Sequence, residues 1–562
     1  MSGASPLASS LRTLADLAEI RGAVDETADL RRAATAVDTL TPAGAADLLQ
    51  RARRDRLKNE PGITPALHSR LRELARGPAR TPLGSGQPAL PALFTQLLVL
   101  RAIETEEAAS LVRDLDILTL CELQVALEDG RVGQLGGNSL DTRLRQAARI
   151  LEADQRPIPL GRARDLLDVL AADIAASSPG IELVTSAGDV RRFESLVFAL
   201  AIVARALDPP SAIDAICATD GVDEVRHRSG RRAILSVRQA EIDIRIAAPD
   251  EYGTCLFRAT GSPAHLQAMH RRSGTARLAA REEDVYASVG LPFITPELRQ
   301  GSGEVEAAAA RALPALISRE HILGDLHLHT TYSDGADTLD AMVAACCRLG
   351  YEYIAVTDHS ERAAAARTLS RGDVSRQRDE IDAIRERYPG ITILHGVEAD
   401  IMSDGSLDFP DRILQSLDIV LASLHDPGRH DAKTLTRRCI QAIRHPLVTI
   451  LTHPANRLVG RREGYSLDFD AVYAAAAETG TALEVDGAPS HLDLDGEHAR
   501  AAIAAGVTLS IDSDCHRARS LERQMQLGIG TARRGWVEPR HVLNARPLQD
   551  VRAFIAAKRA RR

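Results

Sequence analysis

At 562 residues the chain is too long for one hydrophobic core, since single cores rarely grow past about 250–300 residues. Net charge is -8 and aromatics are only 3%, so the chain as a whole is not a basic nucleic-acid binder and offers few platforms for base stacking. No apolar run reaches about 18 residues, the N-terminus MSGASPLASSLRTLADLAEI lacks a signal peptide's unbroken apolar core, and seven Cys without a CxxC pair suit a reducing cytoplasm rather than a disulfide framework.

The first 160 residues carry apolar side chains at three- and four-residue spacing, as in LASSLRTLADLAEI, and predict helices. A Gly/Pro/Ser break, Gly77 to Pro91, divides them into helical regions 1–85 and 86–160. Glu60 to Gly77 reads as helix, Gly turn, helix, and Leu135 to Leu151 looks similar. Over 161–300, IELVTSAGDVRRF, SLVFALAIVARAL and AEIDIRIAAPD alternate or run apolar, predicting an α+β domain with a small antiparallel sheet. Residues 301–321 read as a linker with a short helix.

From 322 to 562 the pattern becomes regular. Seven short apolar strands (ILGDLHL, YEYIAVTD, ITILHGVEA, DIVLASLH, LVTILTHP, TALEVDG and VTLSIDSD) each precede a helical stretch, which predicts a parallel barrel. Chemistry in such barrels sits at the carboxyl ends of strands. There lie His327, His329, Asp358-His359, Glu398, His425, His453, Asp514 and His516, and 13 of the 17 His fall from His321 onward. Side chains alternate along a strand, so both imidazoles of His327-x-His329 point one way, with Asp334 following in a polar turn. Alone, that pair reads equally well as surface histidines. Six or seven strands ending in such residues predict a multinuclear divalent-metal site.

These motifs, from Gly324 to Asn544, resemble the PHP (polymerase and histidinol phosphatase) domain. The resemblance implies a distorted (β/α)7 barrel with up to three divalent ions per chain, Mn, Zn or Fe, with Mg possible. It implies a first ion on His327, His329, Glu398 and Asp514, a second on Glu398, His425 and His453, and a third on Asp334, His359 and His516. Asp334, His359 and Glu398 are expected to carry catalysis. Clustered divalent ions make hydroxide available near neutral pH and bind phosphate oxygens, so the implied reaction is phosphoester hydrolysis. Arg457, Arg461 and Arg462 in HPANRLVGRR resemble phosphate contacts, or form a solvated loop. Asp358 either orients the imidazole of His359 or caps the next helix. His395, His430, His445, His491 and His498 are expected at the surface or behind the ligands. Near DGAPSHLDL the family has Asn and Arg where this chain has Asp486 and His491, which changes the expected grip on substrate.

The order of helical, α+β and PHP regions resembles bacterial family X DNA polymerases, supported by SAGDVRR, AEIDIRI, ATGSPAH and VYASVGLPFITPELR. That resemblance makes 161–300 a palm- and thumb-like domain and 86–160 a fingers-like one. Two of its three catalytic Asp positions hold Ala199 and Ala201, leaving Asp243, and a lone carboxylate cannot hold two divalent ions beside a triphosphate. Asp189 stands in the expected phosphate-cradling turn, and Pro263 replaces a basic residue. Gly62 to Thr64 keeps one Gly of a DNA-binding hairpin, and a second hairpin near LRAIETEEAASLV carries Glu104, Glu106 and Glu107 instead. DNA affinity from this half is expected to be weak, and a plain helical scaffold is an equal reading. The implied function is a DNA 3′–5′ exonuclease or 3′-end processing enzyme in DNA repair. A phosphatase of small phosphoesters would use the same chemistry, and a non-catalytic DNA-repair scaffold is the reading of another class. Nine ligands argue against the scaffold, because a structural site needs four.

Overall fold

The computed structural model describes residues 6–58, 60–76, 89–178, 180–273, 278–363, 367–425 and 430–561. They form two compact units, one of 1–156, 166–188 and 198–293, the other of 157–165, 189–197 and 294–562. Most of the predicted break at Gly77 to Pro91, residues 77–88, lies outside the described residues.

The first unit begins with helices Pro6–Ile20, Val24–Asp38, Pro42–Arg53 and Pro65–Ala75, packed through Leu11, Leu30, Leu57 and Leu71. Thr41 and Thr64 cap the last two by accepting from Gly44 N and Leu67 N, each at 3.2 Å, with Pro at the first helical turn. The stretch Glu60 to Gly77 therefore holds one helix, not two. Pro61 and Gly62, the latter at φ +85°, shape a turn, and the partner helix lies upstream. Leu135 to Leu151 does contain a Gly turn: helix Arg131–Asp154 breaks at Gly137, φ +72°. Helix Thr105–Leu115 opens with a capping box in which Glu107 accepts from Glu104 N at 2.9 Å.

Strands are numbered along the described chain. In the second unit β1 (Ile158–Pro159) pairs antiparallel with β3 (Leu196–Val197). The sheet of the first unit comprises β2 (Ile181–Ala187), β4 (Leu200–Ala206), β5 (Glu224–Arg228), β6 (Arg232–Val237) and β7 (Ala240–Ala247), in the order β2-β4-β7-β6-β5. It is mixed rather than antiparallel, because β4 runs parallel to β7. Helix Pro209–Cys217 carries the chain over, so that β5 runs in the direction of β4. Two reversals, β5–β6 and β6–β7, then return β7 to that direction. Alternation within one strand carries no record of such a crossover.

The second unit holds seven parallel strands in sequence order: β8 (Gly324–Leu328), β9 (Tyr353–Val356), β10 (Thr392–Asp400), β11 (Ile419–Ser423), β12 (Ile450–Leu451), β13 (Ala482–Asp486) and β14 (Leu509–Asp512). Buried on both faces, these strands read as continuous apolar runs. The barrel nearly closes between β14 and β8, where His329 N donates to Cys515 O at 3.0 Å. Side chains stitch the rest of that seam. Asn544 Nδ2 donates to Gly324 O (2.9 Å) and Ile511 O (2.6 Å), and Asp512 Oδ1 accepts from Leu326 N at 2.8 Å. Residues 301–321, read as a linker, belong to this unit, and Ile317 N donates to Val537 O at 2.9 Å.

Candidate metal centre

Along the inward face of each strand, apolar residues give way to polar ones toward the carboxyl end. The sequence runs Leu394, Gly396, Glu398, Asp400 on β10, Ile419, Leu421, Ser423 on β11, and Ala482, Glu484, Asp486 on β13. The first residues pack with Val551 and Ile555 of helix Leu548–Ala560, closing the barrel's amino end. The last residues, with the loops that follow, converge at the other end.

The structure brings all nine expected ligands together. Glu398, almost wholly buried, is the hub. Its Oε2 stands 2.6 Å from His359 Nδ1, 3.4 Å from His327 Nε2 and 3.6 Å from His329 Nε2, and its Oε1 stands 3.0 Å from His453 Nε2 and 3.9 Å from His425 Nε2. Asp514 Oδ1 lies 3.0 Å from His329 Nε2 and 3.6 Å from His327 Nε2. Asp334 Oδ1 lies 3.2 Å from His516 Nε2 and 3.6 Å from His359 Nε2. His329 reaches the Asp334, His359 and His516 group as well as the His327 and Asp514 group. His453 and Asp514 take left-handed backbone, φ +22° and +48°, which costs a non-glycine residue roughly 1–3 kcal/mol and clusters at functional sites.

Several contacts fix these rings from behind. His327 Nδ1–H donates to Glu484 Oε1 at 2.7 Å, which leaves the Nε2 lone pair facing in, 3.1 Å from His329 Nε2. His425 Nδ1–H donates to Asp400 Oδ1 at 2.9 Å, and His516 Nδ1–H to Asp514 O at 3.0 Å. Carboxylates and carbonyls set metal-binding imidazoles in this way, choosing the tautomer and raising basicity. Ser423 donates to Glu398 Oε1, as does Thr452 Oγ1 at 3.3 Å. Burial would raise the Glu398 carboxyl, yet His359 and His327 hold it well below the usual range. Converging nitrogen lone pairs around a shared carboxylate suit divalent cations, so the residues fit such ions.

Glu484 and Asp400 went unnoticed in the sequence, although both left a signal. Each lies an even number of residues from another inward carboxylate, Asp486 or Glu398, within a strand otherwise apolar. Glu484→Gln is expected to weaken divalent-metal affinity about 10–100-fold, the usual cost of losing a partner behind a ligand. Equilibrium dialysis of variant and wild type measures this. Unchanged affinity would remove Glu484 from the centre.

Asp358 does neither of the things expected of it. Fully buried, it accepts from Thr330 N (2.7 Å), Thr330 Oγ1 (2.6 Å), Ser333 N (3.1 Å), Ser333 Oγ (2.5 Å) and Gln377 Nε2 (2.6 Å). It thereby anchors the turn that carries Asp334. Arg457 is spent on structure: Nε donates to His491 O at 2.9 Å, Nη2 to Leu492 O, and Nη1 pairs with Asp495 at 3.3 Å. Arg462 Nη2 donates to Asn456 O at 2.7 Å, and Arg461 is exposed. His395, His445 and His498 pair with Gln377, Asp411 and Tyr473, and His430 lies by Arg438. His491 instead stacks on His453, ring centroids 5.3 Å apart.

In the first unit, the parallel register places Ala201 directly beside Asp243. Ala201 packs with Ala187, Val203, Tyr252 and Leu256. Asp243 is clamped: Arg232 Nε and Nη2 reach its two oxygens at 2.9 Å, and Arg245 Nη2 reaches Oδ2 at 2.6 Å. Burial would raise this carboxyl, but the two guanidinium groups bring it down to about 2. In the second unit, Asp189 pairs with Arg192 at 2.5 Å.

Residues 325–465 match the PHP domain family. Together with a parallel barrel massing imidazoles and carboxylates at its carboxyl end, that match defines a hydrolase of the metal-dependent phosphoesterase class. Over 529 residues the chain is 32% identical to the DNA polymerase/3′-5′ exonuclease PolX of Bacillus subtilis, covering 88% of this chain and 90% of that protein. The chain belongs to the PolX family. It is also 33% identical over 203 residues to "Probable phosphatase TTE1963" of Caldanaerobacter subterraneus, covering 34% of this chain and 75% of that one. Among solved structures, the histidinol phosphate phosphatase of Lactococcus lactis, complexed with Zn, L-histidinol and phosphate, aligns at TM-score 0.31 and 17% identity over 38% of this chain and 93% of that one. Among the described residues, no helix is long and apolar enough to cross a membrane.

Proposed function

We propose that this chain hydrolyses phosphodiester bonds at DNA 3′ ends, as a 3′–5′ exonuclease or 3′-end processing enzyme in DNA repair, on a polymerase-like body that does not polymerise. The observation that carries the reading is the convergence of nine nitrogen and oxygen donors on Glu398 and its neighbours. His327, His329, Glu398 and Asp514 would hold a first cation, Glu398, His425 and His453 a second, and Asp334, His359 and His516 a third. Mixed imidazole and carboxylate donors suit Mn, Zn or Fe, and Mg less well. Such ions supply Lewis acidity toward phosphoryl oxygens and a water nucleophile at neutral pH. Glu484 and Asp400 orient the imidazoles, Glu398 would be shared between ions, and Asp358 sets the turn bearing Asp334.

DNA as substrate is supported by likeness to the Bacillus relative along most of its length. Loss of the polymerase reaction is supported by Ala199 and Ala201 and by the two arginines that already neutralise Asp243. Weak DNA grip from the helical region is supported by its exposed single-Gly turn at Gly62 and by Glu107, engaged with Arg143 at 2.6 Å. Seven Cys without a CxxC pair support a reducing cytoplasm. A second reading, hydrolysis of small phosphomonoesters, is favoured by relatives named as phosphatases that match only about a third of the chain. One screen separates the readings: Mn-loaded protein on 3′-recessed DNA, 3′-phosphate DNA and small phosphomonoesters, with dNTPs on a gapped primer alongside. Nucleotide or phosphate release from DNA 3′ ends without dNTP incorporation is expected. Turnover of small phosphomonoesters alone would establish the second reading, and robust incorporation would overturn the loss of polymerisation.

A further inference from the structure

A fourth group of the same chemistry adjoins the centre. Asp486, at the end of β13, and His491, in the loop that follows, bring ligand-type atoms within 4.8 Å of each other and of Asp514. Asp486 is fully buried. Its Oδ1 accepts from Ala488 N at 2.6 Å, while Oδ2 meets no hydrogen-bond donor. His491 Nδ1 is likewise buried without a hydrogen-bond partner. The loop cannot easily turn these groups away. Asp486 N donates to Asp493 O at 2.7 Å, and Arg457 grips the carbonyls of His491 and Leu492 from outside.

A buried carboxylate oxygen facing no donor loses its hydration without compensation, and the cost is greater when it is charged. A second carboxylate close by adds repulsion to that cost. Only a proton or a cation relieves both. The adjacent imidazole offers a lone pair, and two carboxylates with one imidazole are donors that zinc-like ions accept.

We infer that Asp486, His491 and Asp514 form a further divalent-cation subsite of the Zn, Mn or Fe kind, with Asp514 shared between it and the His327–His329 group. Asp514 would then link two ions as Glu398 is proposed to do, and the centre would extend toward β13. This goes beyond the proposed function and does not depend on which phosphoester is cleaved.

The test is equilibrium dialysis of the full chain against free Mn²⁺, with elemental analysis, for wild type, Asp486→Asn and His491→Gln. Circular dichroism confirms folding, and His491→Gln serves if Asp486→Asn does not fold. Both variants are expected to hold one ion fewer than wild type. Equal counts in all three proteins would overturn the subsite and show that Asp486 carries a proton instead. A wild-type total of one ion or none would, separately, overturn the trinuclear assignment proposed above.

Discussion

Glu398→Gln is expected to lower phosphoester hydrolysis on the order of 10³-fold or more, with the fold intact. The amide keeps the shape of the side chain but cannot serve as a charged bridge between cations. Both oxygens of Glu398 are engaged: Oε2 faces His327, His329 and His359, and Oε1 faces His453 and His425. Lewis-acid stabilisation is worth several kcal/mol, and each 1.36 kcal/mol is tenfold in rate, which sets the size of the loss. Steady-state rates on the best substrate of the screen, with metal content measured on the same samples, check it. Activity within about tenfold of wild type would mean that Glu398 lies outside the reacting centre.

The second large effect concerns stability rather than rate. The sequence makes Asp243 a relic whose loss should change nothing in hydrolysis. The structure makes it the counter-ion of two guanidinium groups, one of them, Arg232, buried. Glu122 bridges the same pair, at 2.8 Å from Arg232 and 2.7 Å from Arg245, and the other carboxylate beside them, Asp116 at 3.6 Å from Arg232, is exposed and screened by water. Asp243→Ala is therefore expected to destabilise the first unit by about 3–5 kcal/mol, the cost of leaving buried charge unpaired. For a unit of this size that lowers its melting temperature on the order of 10 °C. Calorimetry of the full chain should show one transition shifted and the other unmoved, with hydrolysis unchanged. An unshifted transition would mean that the clamp contributes nothing.

Much of the centre was legible because ligand chemistry was written locally. His327-x-His329 shows its common direction by strand alternation, and Glu398, His425, His453 and Asp514 each follow a short apolar run. The seven strands were readable for the same reason, since a strand buried on both faces is apolar throughout. What stayed hidden were the partners. The ring of His327 is set by Glu484, 157 positions away, and Asp358 is set by Thr330 and Ser333 in one turn and by Gln377 in a distant helix. Arg457 looked free for phosphate because nothing near it in sequence announces that the carbonyls of His491 and Leu492 would fold onto its guanidinium.

By itself, then, the sequence determined the class of chemistry and the faces that bear it, because periodicity and residue type are properties of a few neighbouring residues. Tertiary structure alone decided which imidazole nitrogen faces inward, that β4 lies parallel to β7, that Asp243 is clamped by two arginines, and that Asp486 and His491 meet Asp514. Those outcomes depend on side chains far apart along the chain meeting in a packed interior. There the free energy of a buried polar group is set by whichever donor, acceptor or charge the fold delivers to it.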